Sequence, residues 1–437
     1  MSELRPRSEL SGSGELRPRS GGAAKLPGIA RHGRLRKRSP LGAIFGFIAA
    51  ALAVILVSGG SIAAVAFNAL YSKTEIVELI GETDGPPPQI GAIEGGFNIL
   101  IVGSDECEDE ACLEGERGSS ELNDVNILLH VSQDQTNAVA ISFPRDMVVG
   151  IPECPAEDGD GTKGYSTEPI NVAMYYGGLN CVAMTVSELT GLPIQFAGKI
   201  TFNGVINMSN AIGGVDVCID APIYDPYTGL NLSTAGTHTL MGSDALAFLR
   251  SRHGVGDGSD LTRISSQQVY LSSLVRKLQA DGTLGNPSVL YNLATAALSS
   301  MTLSSNLADV PTMVSIALAL KDIPLERVTF VQYPGSTGGT GIYSGKVRPN
   351  LALGDQMMEL VRADQPFVLS QAGDGSGSEE VAPPPVTNVK TPIDLTNPDP
   401  EPTETAPPVP VDNTGLPVLS GIRGQTAANY TCSISNE

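Results

Sequence analysis

A stretch of roughly thirty residues without a single charge, 41–71, constrains this chain more than any other feature. It follows residues 1–40, which hold ten Lys and Arg against three Glu, a net charge of +7. Roughly 20 apolar residues span a bilayer, so this stretch can cross one with some tilt. A cleaved signal peptide has a shorter apolar core, about 7–15 residues, and a shorter basic region. We therefore predict an uncleaved transmembrane anchor at 41–71, with the basic segment 1–40 disordered in the cytoplasm.

The remainder of the chain is then predicted to be extracytoplasmic, and it is strongly acidic. The chain carries −20 in total, so residues 41–437 carry −27. A nucleic-acid-binding protein needs a basic face, so this balance argues against nucleic acid as a partner. Any anionic substrate must be attracted locally, by a cluster of cations helped by a divalent metal.

All six cysteines follow the apolar stretch, and their number is even. An oxidising compartment allows disulfides, and no CxxC or Cys/His metal spacing competes for these thiols. The candidate pairs are Cys107 with Cys112, which would close a short acidic loop, Cys154 with Cys181, which would fix a loop rich in Gly and Asp, and Cys218 with Cys432, left by elimination. Sequence alone leaves this connectivity open.

Residues 97–370 have the pattern of one mixed α/β domain, a central sheet flanked by helices. Short apolar runs predict strands and longer amphipathic runs predict helices. The predicted strands are 97–103, 124–131, 138–143, 194–201, 215–219 and 327–332; the predicted helices are 171–189, 202–212 and a region from 241 to 320 broken near 254–260, 282–287 and 304–306. Residues 72–96 are predicted to be a juxtamembrane linker. Residues 371–437 contain eleven prolines and many acids, which predicts a disordered tail in which only 421–432 is varied enough to dock.

An arginine cluster is the strongest chemical signal in this domain. Arg250-Ser-Arg252 is followed by Asp260, Arg263 and the pair Gln267-Gln268. Guanidinium groups repel one another, so grouping them in an acidic protein is costly unless an anion lies among them. Their planar forks match phosphate oxygens, which predicts a phosphate or pyrophosphate clamp. The alternative is a set of ordinary ion pairs with nearby carboxylates.

Acidic residues stand at the ends of the predicted strands. Asp105 follows the first strand, Asp124 opens the second, and Arg145-Asp146 follows the third after Pro144. Carboxylates around one crevice suit Mg²⁺ or Mn²⁺ shared with substrate phosphates, and ligands of open α/β sheets bind at the carboxyl ends of strands. The alternative reading of each Asp is a turn or capping residue.

Taken in order, these motifs resemble the LytR-CpsA-Psr family of envelope proteins. The resemblance covers about 97–280 and continues more loosely to about 370. The motifs that carry it are Asn98-Ile-Leu-Ile-Val-Gly-Ser-Asp105, Asn123-Asp124-Val-Asn-Ile-Leu-Leu-His-Val131, Ser142-Phe-Pro-Arg-Asp146, Ile170-Asn-Val-Ala-Met-Tyr-Tyr-Gly-Gly178, Thr185-Val-Ser-Glu-Leu-Thr-Gly191, Asn210-Ala-Ile-Gly-Gly-Val-Asp-Val217, Leu240-Met-Gly-Ser-Asp-Ala-Leu-Ala-Phe-Leu-Arg-Ser-Arg252 and Asp260-Leu-Thr-Arg-Ile-Ser-Ser-Gln-Gln268.

The resemblance implies a phosphotransferase that acts on a polyprenyl-pyrophosphate-linked glycan donor. It would join the glycopolymer to a peptidoglycan hydroxyl through a phosphodiester and release polyprenyl phosphate. By matching position, Asp105 and Asp124 would hold Mg²⁺ (or Mn²⁺), and Asp105 or Asp146 would accept the proton of the incoming hydroxyl. The pyrophosphate would be gripped by Arg145, Arg250, Arg252 and Arg263, with Asp260 and Gln267 or Gln268 positioning them.

The chain departs from the family pattern at four cationic positions. Residues of other types stand where the family has Arg or Lys: Glu106-Cys107, Leu122-Asn123, Ser266 and Pro169. Arg117, in the insertion between the first two strands, is a candidate substitute. The missing cations leave two alternatives open: a non-catalytic scaffold that binds the lipid carrier, and a pyrophosphatase that uses water as acceptor.

Overall fold

The computed structural model of the protein describes residues 74–80, 94–105, 122–156, 162–280, 287–382 and 415–436, with six isolated positions between 45 and 58. The predicted anchor and basic segment lie almost wholly outside these ranges, as do Cys107, Cys112 and Arg117. Among the described residues, no helix is both long and apolar enough to cross a membrane. All elements below belong to the compact unit Val65–Glu437.

Strands make up the centre of this unit. In chain order they are β1 (Glu75–Val77), β2 (Phe97–Ser104), β3 (Asn123–Val131), β4 (Ala138–Ser142), β5 (Val148–Ile151), β6 (Cys154–Pro155), β7 (Thr162–Lys163), β8 (Ser166–Pro169), β9 (Phe196–Ile200), β10 (Val215–Ile219), β11 (Ile223–Asp225), β12 (Leu230–Leu232), β13 (Gly236–Leu240), β14 (Met301–Ser304), β15 (Val328–Gln332), β16 (Gly335–Thr337), β17 (Val347–Pro349), β18 (Val368–Leu369), β19 (Ser378–Glu380), β20 (Val418–Leu419), β21 (Gly424–Thr426) and β22 (Thr431–Ser433).

Seven α-helices flank the strands within the described ranges. They are α1 (Ala173–Thr190), α2 (Phe202–Ala211), α3 (Ser243–Arg250), α4 (Asp260–Gln279), α5 (Pro287–Ser300), α6 (Val310–Lys321) and α7 (Leu351–Arg362). Polar caps set several starts: Thr201 accepts from the amide of Gly204 at α2, and Ser259 accepts from that of Thr262 at α4. Such caps satisfy amides that the first helical turn leaves without a partner.

The central sheet is mixed and, in the described part of the chain, has eight strands in the order β1-β14-β9-β2-β3-β4-β15-β21. Its side chains alternate between two buried faces. Leu100 and Val102 of β2 face the layer of α1 and α7, whereas Phe97 and Ile99 face the layer that includes α6. A sheet covered on both sides requires apolar residues at successive positions, which explains why the strands read as continuous apolar runs.

A smaller sheet, β13-β10-β22-β19, packs with α3 and α4 around its own apolar cluster. The predicted strands at 97–103, 124–131, 138–143, 194–201, 215–219 and 327–332, and the helices from 171 to 212 and 241 to 320, are all present to within a few residues. The predicted mixed α/β fold is therefore confirmed. The strands that were not predicted are short, two to five residues each: β1, β5 to β8, β11 to β14 and β16 to β22.

The ordered domain extends beyond the predicted bounds 97–370 at both ends, and at the C-terminal end it does so through the stretch 421–432 that was predicted to be able to dock. β1 lies in the predicted linker 72–96, yet it pairs in parallel with β14 and extends the central sheet. β21 and β22 lie in the predicted tail, yet β21 pairs with β15 and β22 lies between β10 and β19. Two or three residues carry too little periodicity to be seen as a strand. Composition indicates disorder only for a long window, and most of the prolines fall in 383–414, outside the described residues.

The returning C-terminal strands are held by polar contacts. Ser266 and Ser433 are joined hydroxyl to hydroxyl at 2.6 Å, and the Gln425 side-chain amide donates to the Ser272 hydroxyl at 2.7 Å. All four residues are buried. Both sides of this contact are polar, so neither α4 nor the C-terminal strands show the apolar pattern that predicts packing. The hydroxyl and amide groups form hydrogen bonds with each other instead.

Two disulfides stabilise the part of this unit that the structure describes. Cys154 joins Cys181 across 27 residues, and Cys218 joins Cys432 across 214 residues, where β10 and β22 pair. Both of these sequence-based pairings are confirmed. The third candidate pair lies outside the described residues.

We expect the longer disulfide to contribute more stability, because it restricts a larger loop of the unfolded chain. Loop-closure entropy gives about 5.4 kcal/mol for Cys218–Cys432 and about 3.6 kcal/mol for Cys154–Cys181. Urea unfolding of the C218S/C432S and C154S/C181S double variants measures both losses. A smaller loss for C218S/C432S would show that the C-terminal segment is not held to the domain as described.

Candidate functional site

One buried carboxylate organises the arginines of the domain. Ser259 caps α4, which places Asp260 in its first turn with a side chain only 6% exposed. Asp260 Oδ1 lies 2.7 Å from Arg263 Nη2, 3.0 Å from Arg252 Nη2 and 3.9 Å from Arg145 Nε. Its Oδ2 also accepts from the backbone amide of Arg145 at 3.2 Å. Three guanidiniums therefore converge on one residue.

Three separate elements deliver these arginines. Arg145 leaves the carboxyl end of β4, Arg252 follows α3, and Arg263 lies three residues after Asp260 on α4. The position of Arg252 is fixed by Asp225, a fully buried residue whose Oδ2 accepts from the backbone amide of Arg252 at 3.2 Å and from the hydroxyl of Ser251 at 2.7 Å. Asp225 was not predicted as a site residue, because a single Asp in a short hairpin has no distinguishing pattern.

Burial and mutual repulsion act on these guanidiniums. Burial lowers the pKa of Arg252, and the neighbouring charge of Arg263 lowers it further. For Arg145, burial also acts to lower the pKa, but Asp124, Asp260 and Asp146 together outweigh it and raise the pKa. An added anion at this position would relieve the repulsion between the arginines.

The two predicted metal ligands lie at the same edge of the central sheet. β2 and β3 are antiparallel and pair Ser104 with Asn123, so Asp105 and Asp124 occupy neighbouring strand ends. Asp105 Oδ1 accepts from the backbone amide of Leu122 at 3.1 Å. Asp124 Oδ1 accepts from Arg145 Nη1 at 2.7 Å. This sheet edge therefore brings Asp105 and Asp124 next to the arginine cluster. We call the edge and the cluster together the crevice.

The donor set fits a Mg²⁺ ion that binds few protein ligands. Within the described ranges, no group of three or more His, Cys, Asp or Glu side chains is arranged to hold a metal. Mg²⁺ commonly binds through one or two carboxylates and takes its other ligands from water and substrate phosphates. Asp105 and Asp124 supply two hard oxygen donors of this kind, although a metal would share Asp124 with Arg145.

Asp146 is adjacent to this crevice and meets a cation that sequence analysis did not identify. Asp146 Oδ2 is 3.7 Å from Arg145 Nε, and its Oδ1 accepts from Lys346 Nζ at 3.1 Å. Lys346 lies 200 residues further along the chain and outside every motif used above. Only the tertiary fold brings it to the crevice.

Three other residues of the predicted pyrophosphate site, Arg250, Gln267 and Gln268, make their contacts away from Asp260. The Arg250 guanidinium stacks 4.0 Å above the ring of Phe202. Gln267 donates from Nε2 to the carbonyl of Leu249 at 2.8 Å, tying α4 to the end of α3. Gln268 is buried, and its backbone carbonyl accepts from the side-chain amide of Gln425. The side-chain contact suits Gln267 to positioning α3, whereas Gln268 holds Gln425 through its backbone alone. Direct substrate binding by these three residues stays a prediction.

The structure explains two of the positions that depart from the family pattern, Asn123 and Ser266. Asn123 is buried and its Oδ1 accepts from the backbone amide of Met174 at 3.1 Å. Ser266 is buried where β22 packs against α4 through Ser433. An arginine at 266 would meet that strand. The small residue there is therefore matched to the C-terminal segment.

Comparison with known proteins identifies the family. Residues 65–355, about two thirds of the chain, match the LytR_cpsA_psr family, so the chain belongs to that family. The resemblance drawn from the motifs is confirmed.

Two relatives and one solved structure illustrate the similarity. The chain is 30% identical over 282 residues to the cell wall biosynthesis protein LcpA of Corynebacterium glutamicum, covering 59% of this chain and 53% of that protein. It is 26% identical over 256 residues to the polyisoprenyl-teichoic acid–peptidoglycan teichoic acid transferase TagT of Bacillus subtilis, covering 56% and 74%. A LytR-Csp2A-Psr enzyme from Actinomyces oris superimposes with a TM-score of 0.49 at 23% identity, covering 66% and 96%. The chain thus spans about half the length of LcpA.

We expect Asp260→Asn to destabilise the domain by about 3–5 kcal/mol, because it leaves buried guanidiniums without their carboxylate. Urea unfolding measures the loss, and Asp322→Asn, at a side chain 84% exposed, is the matched control with little effect.

Inorganic pyrophosphate should raise the stability of the Asp260→Asn protein more than that of the unmodified protein, since it replaces the missing negative charge. Equal stability of D260N and the unmodified protein would contradict the central role of Asp260.

Proposed function

We propose that this protein transfers a glycopolymer from a polyprenyl-pyrophosphate-linked donor to a hydroxyl of peptidoglycan. The observation that carries this proposal is the convergence of Arg145, Arg252 and Arg263 on Asp260, beside the carboxylates Asp105 and Asp124. Membership of the LytR_cpsA_psr family supports it, as does the name of the relative TagT, a polyisoprenyl-teichoic acid–peptidoglycan teichoic acid transferase.

The proposed reaction is one phosphoryl substitution. The acceptor oxygen attacks the phosphorus that carries the glycan and forms a new P–O bond. The bond from that phosphorus to the bridging oxygen breaks, polyprenyl phosphate leaves with the electron pair, and the hydroxyl proton passes to a carboxylate. Such transfers depend on charge neutralisation and alignment more than on a covalent nucleophile.

Each part of the site has a role in this scheme. Arg145, Arg252 and Arg263 bind the phosphate oxygens, and Asp260 keeps the three guanidiniums together. Asp105 and Asp124 would hold Mg²⁺, which when bound neutralises negative charge on the phosphates. Asp105 and Asp146 both border the crevice as candidate proton acceptors.

The apolar stretch 41–71 suits this proposal, because a polyprenyl donor is itself membrane-bound. We propose a single-pass protein with the basic segment 1–40 in the cytoplasm and residues 72–437 outside, at the surface where peptidoglycan lies. A fixed anchor would keep the crevice near the lipid-linked donor.

The test uses the full chain in detergent with Mg²⁺, a polyprenyl-pyrophosphate glycan and peptidoglycan oligomers. We expect release of polyprenyl phosphate coupled to glycan attachment, both stopped by EDTA and restored by Mg²⁺. Arg252→Ala and Asp105→Asn should each lower kcat/KM by about 100-fold or more, since each removes charge stabilisation of the transition state. Lys321→Ala, at an exposed side chain near the end of α6, is the control that keeps full activity.

The outcomes separate this function from its alternatives. Release of polyprenyl phosphate without glycan attachment would identify a pyrophosphatase. Donor binding without any release would identify a lipid-carrier-binding scaffold. Normal turnover by Arg252→Ala would remove the arginine cluster from the mechanism.

A further inference from the structure

The three arginines of the cluster already have carboxylate partners in the protein. Arg145, Arg252 and Arg263 are ion-paired with Asp124, Asp146 and Asp260, three cations against three anions. A pyrophosphate group carries several negative charges, so a neutral cluster would bind it weakly. A further cation beside the arginines would therefore strengthen the binding of this anion.

Lys346 is placed to supply that charge by the backbone around it. Its neighbour Val347 forms a parallel bridge with Met147, and the Val347 amide donates to the carbonyl of Asp146 at 3.0 Å. Val347 is 2% exposed and begins β17, which pairs with β16. The backbone on both sides of the Lys346–Asp146 contact is therefore fixed, and the contact does not depend on a chance side-chain rotamer.

The ammonium group of Lys346 is also accessible. The side chain is 38% exposed, compared with 5% for Arg263. Among the described residues, Asp146 is its hydrogen-bond partner, and an ammonium has three donors, so two remain for a ligand. Partly exposed ion pairs contribute little to stability; the contact with Asp146 therefore gives no structural reason for a cation here.

We propose that Lys346 is a fourth phosphate-binding cation of this site, held by Asp146 and donating directly to a pyrophosphate oxygen of the donor. The inference rests on the proposed function for the identity of the donor. The anion binding itself does not depend on turnover and is tested separately. Asp146 then serves to orient Lys346 as well as to border the crevice.

The test compares Lys346→Met, Lys346→Arg and the control Lys321→Met in the full chain, with inorganic pyrophosphate as the probe in isothermal titration calorimetry. Loss of one charge-assisted hydrogen bond should weaken pyrophosphate binding about 10-fold in K346M. K346R should recover most of that affinity, since it keeps the charge, and K321M should bind as the unmodified protein does. The affinity of K346M should also depend less steeply on salt, while the thermal midpoint stays unchanged.

Several results would overturn the inference: equal affinity of K346M and the unmodified protein, an equal loss in K321M, or no binding by the unmodified protein. A lower thermal midpoint in K346M without recovery in K346R would assign Lys346 a structural role instead. If the unmodified protein binds pyrophosphate but transfers no glycan, the proposed function fails, while the comparison of affinities still decides the role of Lys346.

Discussion

The site depends on the attraction between one buried carboxylate and three guanidiniums. Arg145, Arg252 and Arg263 come from three elements, and their mutual repulsion would separate those elements if Asp260 did not bind all three. The same contacts join the carboxyl end of β4, the loop after α3 and the first turn of α4. The same ion pairs therefore stabilise the fold and form the site. The arrangement that satisfies Asp260 also leaves guanidinium donors at one edge of the sheet.

The position of Asp260 depends in turn on α4, whose buried side is unusually polar. Ser266 and Ser272 of this helix meet the C-terminal strands through hydrogen bonds, and Cys218–Cys432 closes the contact covalently. A segment that composition assigns to a disordered tail is thus part of the support for the site. The C-terminal segment also covers position 266. This explains why a small residue stands there instead of the cation that the family resemblance implies.

The crevice therefore combines residues that the sequence motifs predicted with a cation from a distant part of the chain. The crevice keeps the carboxylate pair Asp105 and Asp124 and the arginines on Asp260, while Lys346 reaches Asp146 from a hairpin 200 residues away. The contact places one more cation beside the arginine cluster. It links the proposed transfer chemistry to a residue that no motif includes.

Sequence by itself determined the mixed α/β fold, the longer strands and most of the helices, and it singled out the cysteines, carboxylates and arginines that the structure brings together. Long apolar runs, cysteine placement and ordered motifs are local signals, and they persist whatever the rest of the chain does. Only the tertiary structure decided that Arg250 stacks on Phe202, that Gln267 holds the end of α3, and that Lys346 contacts Asp146. It also decided that β1, β21 and β22 belong to the domain, because strands of two or three residues acquire their structure from the partners they pair with.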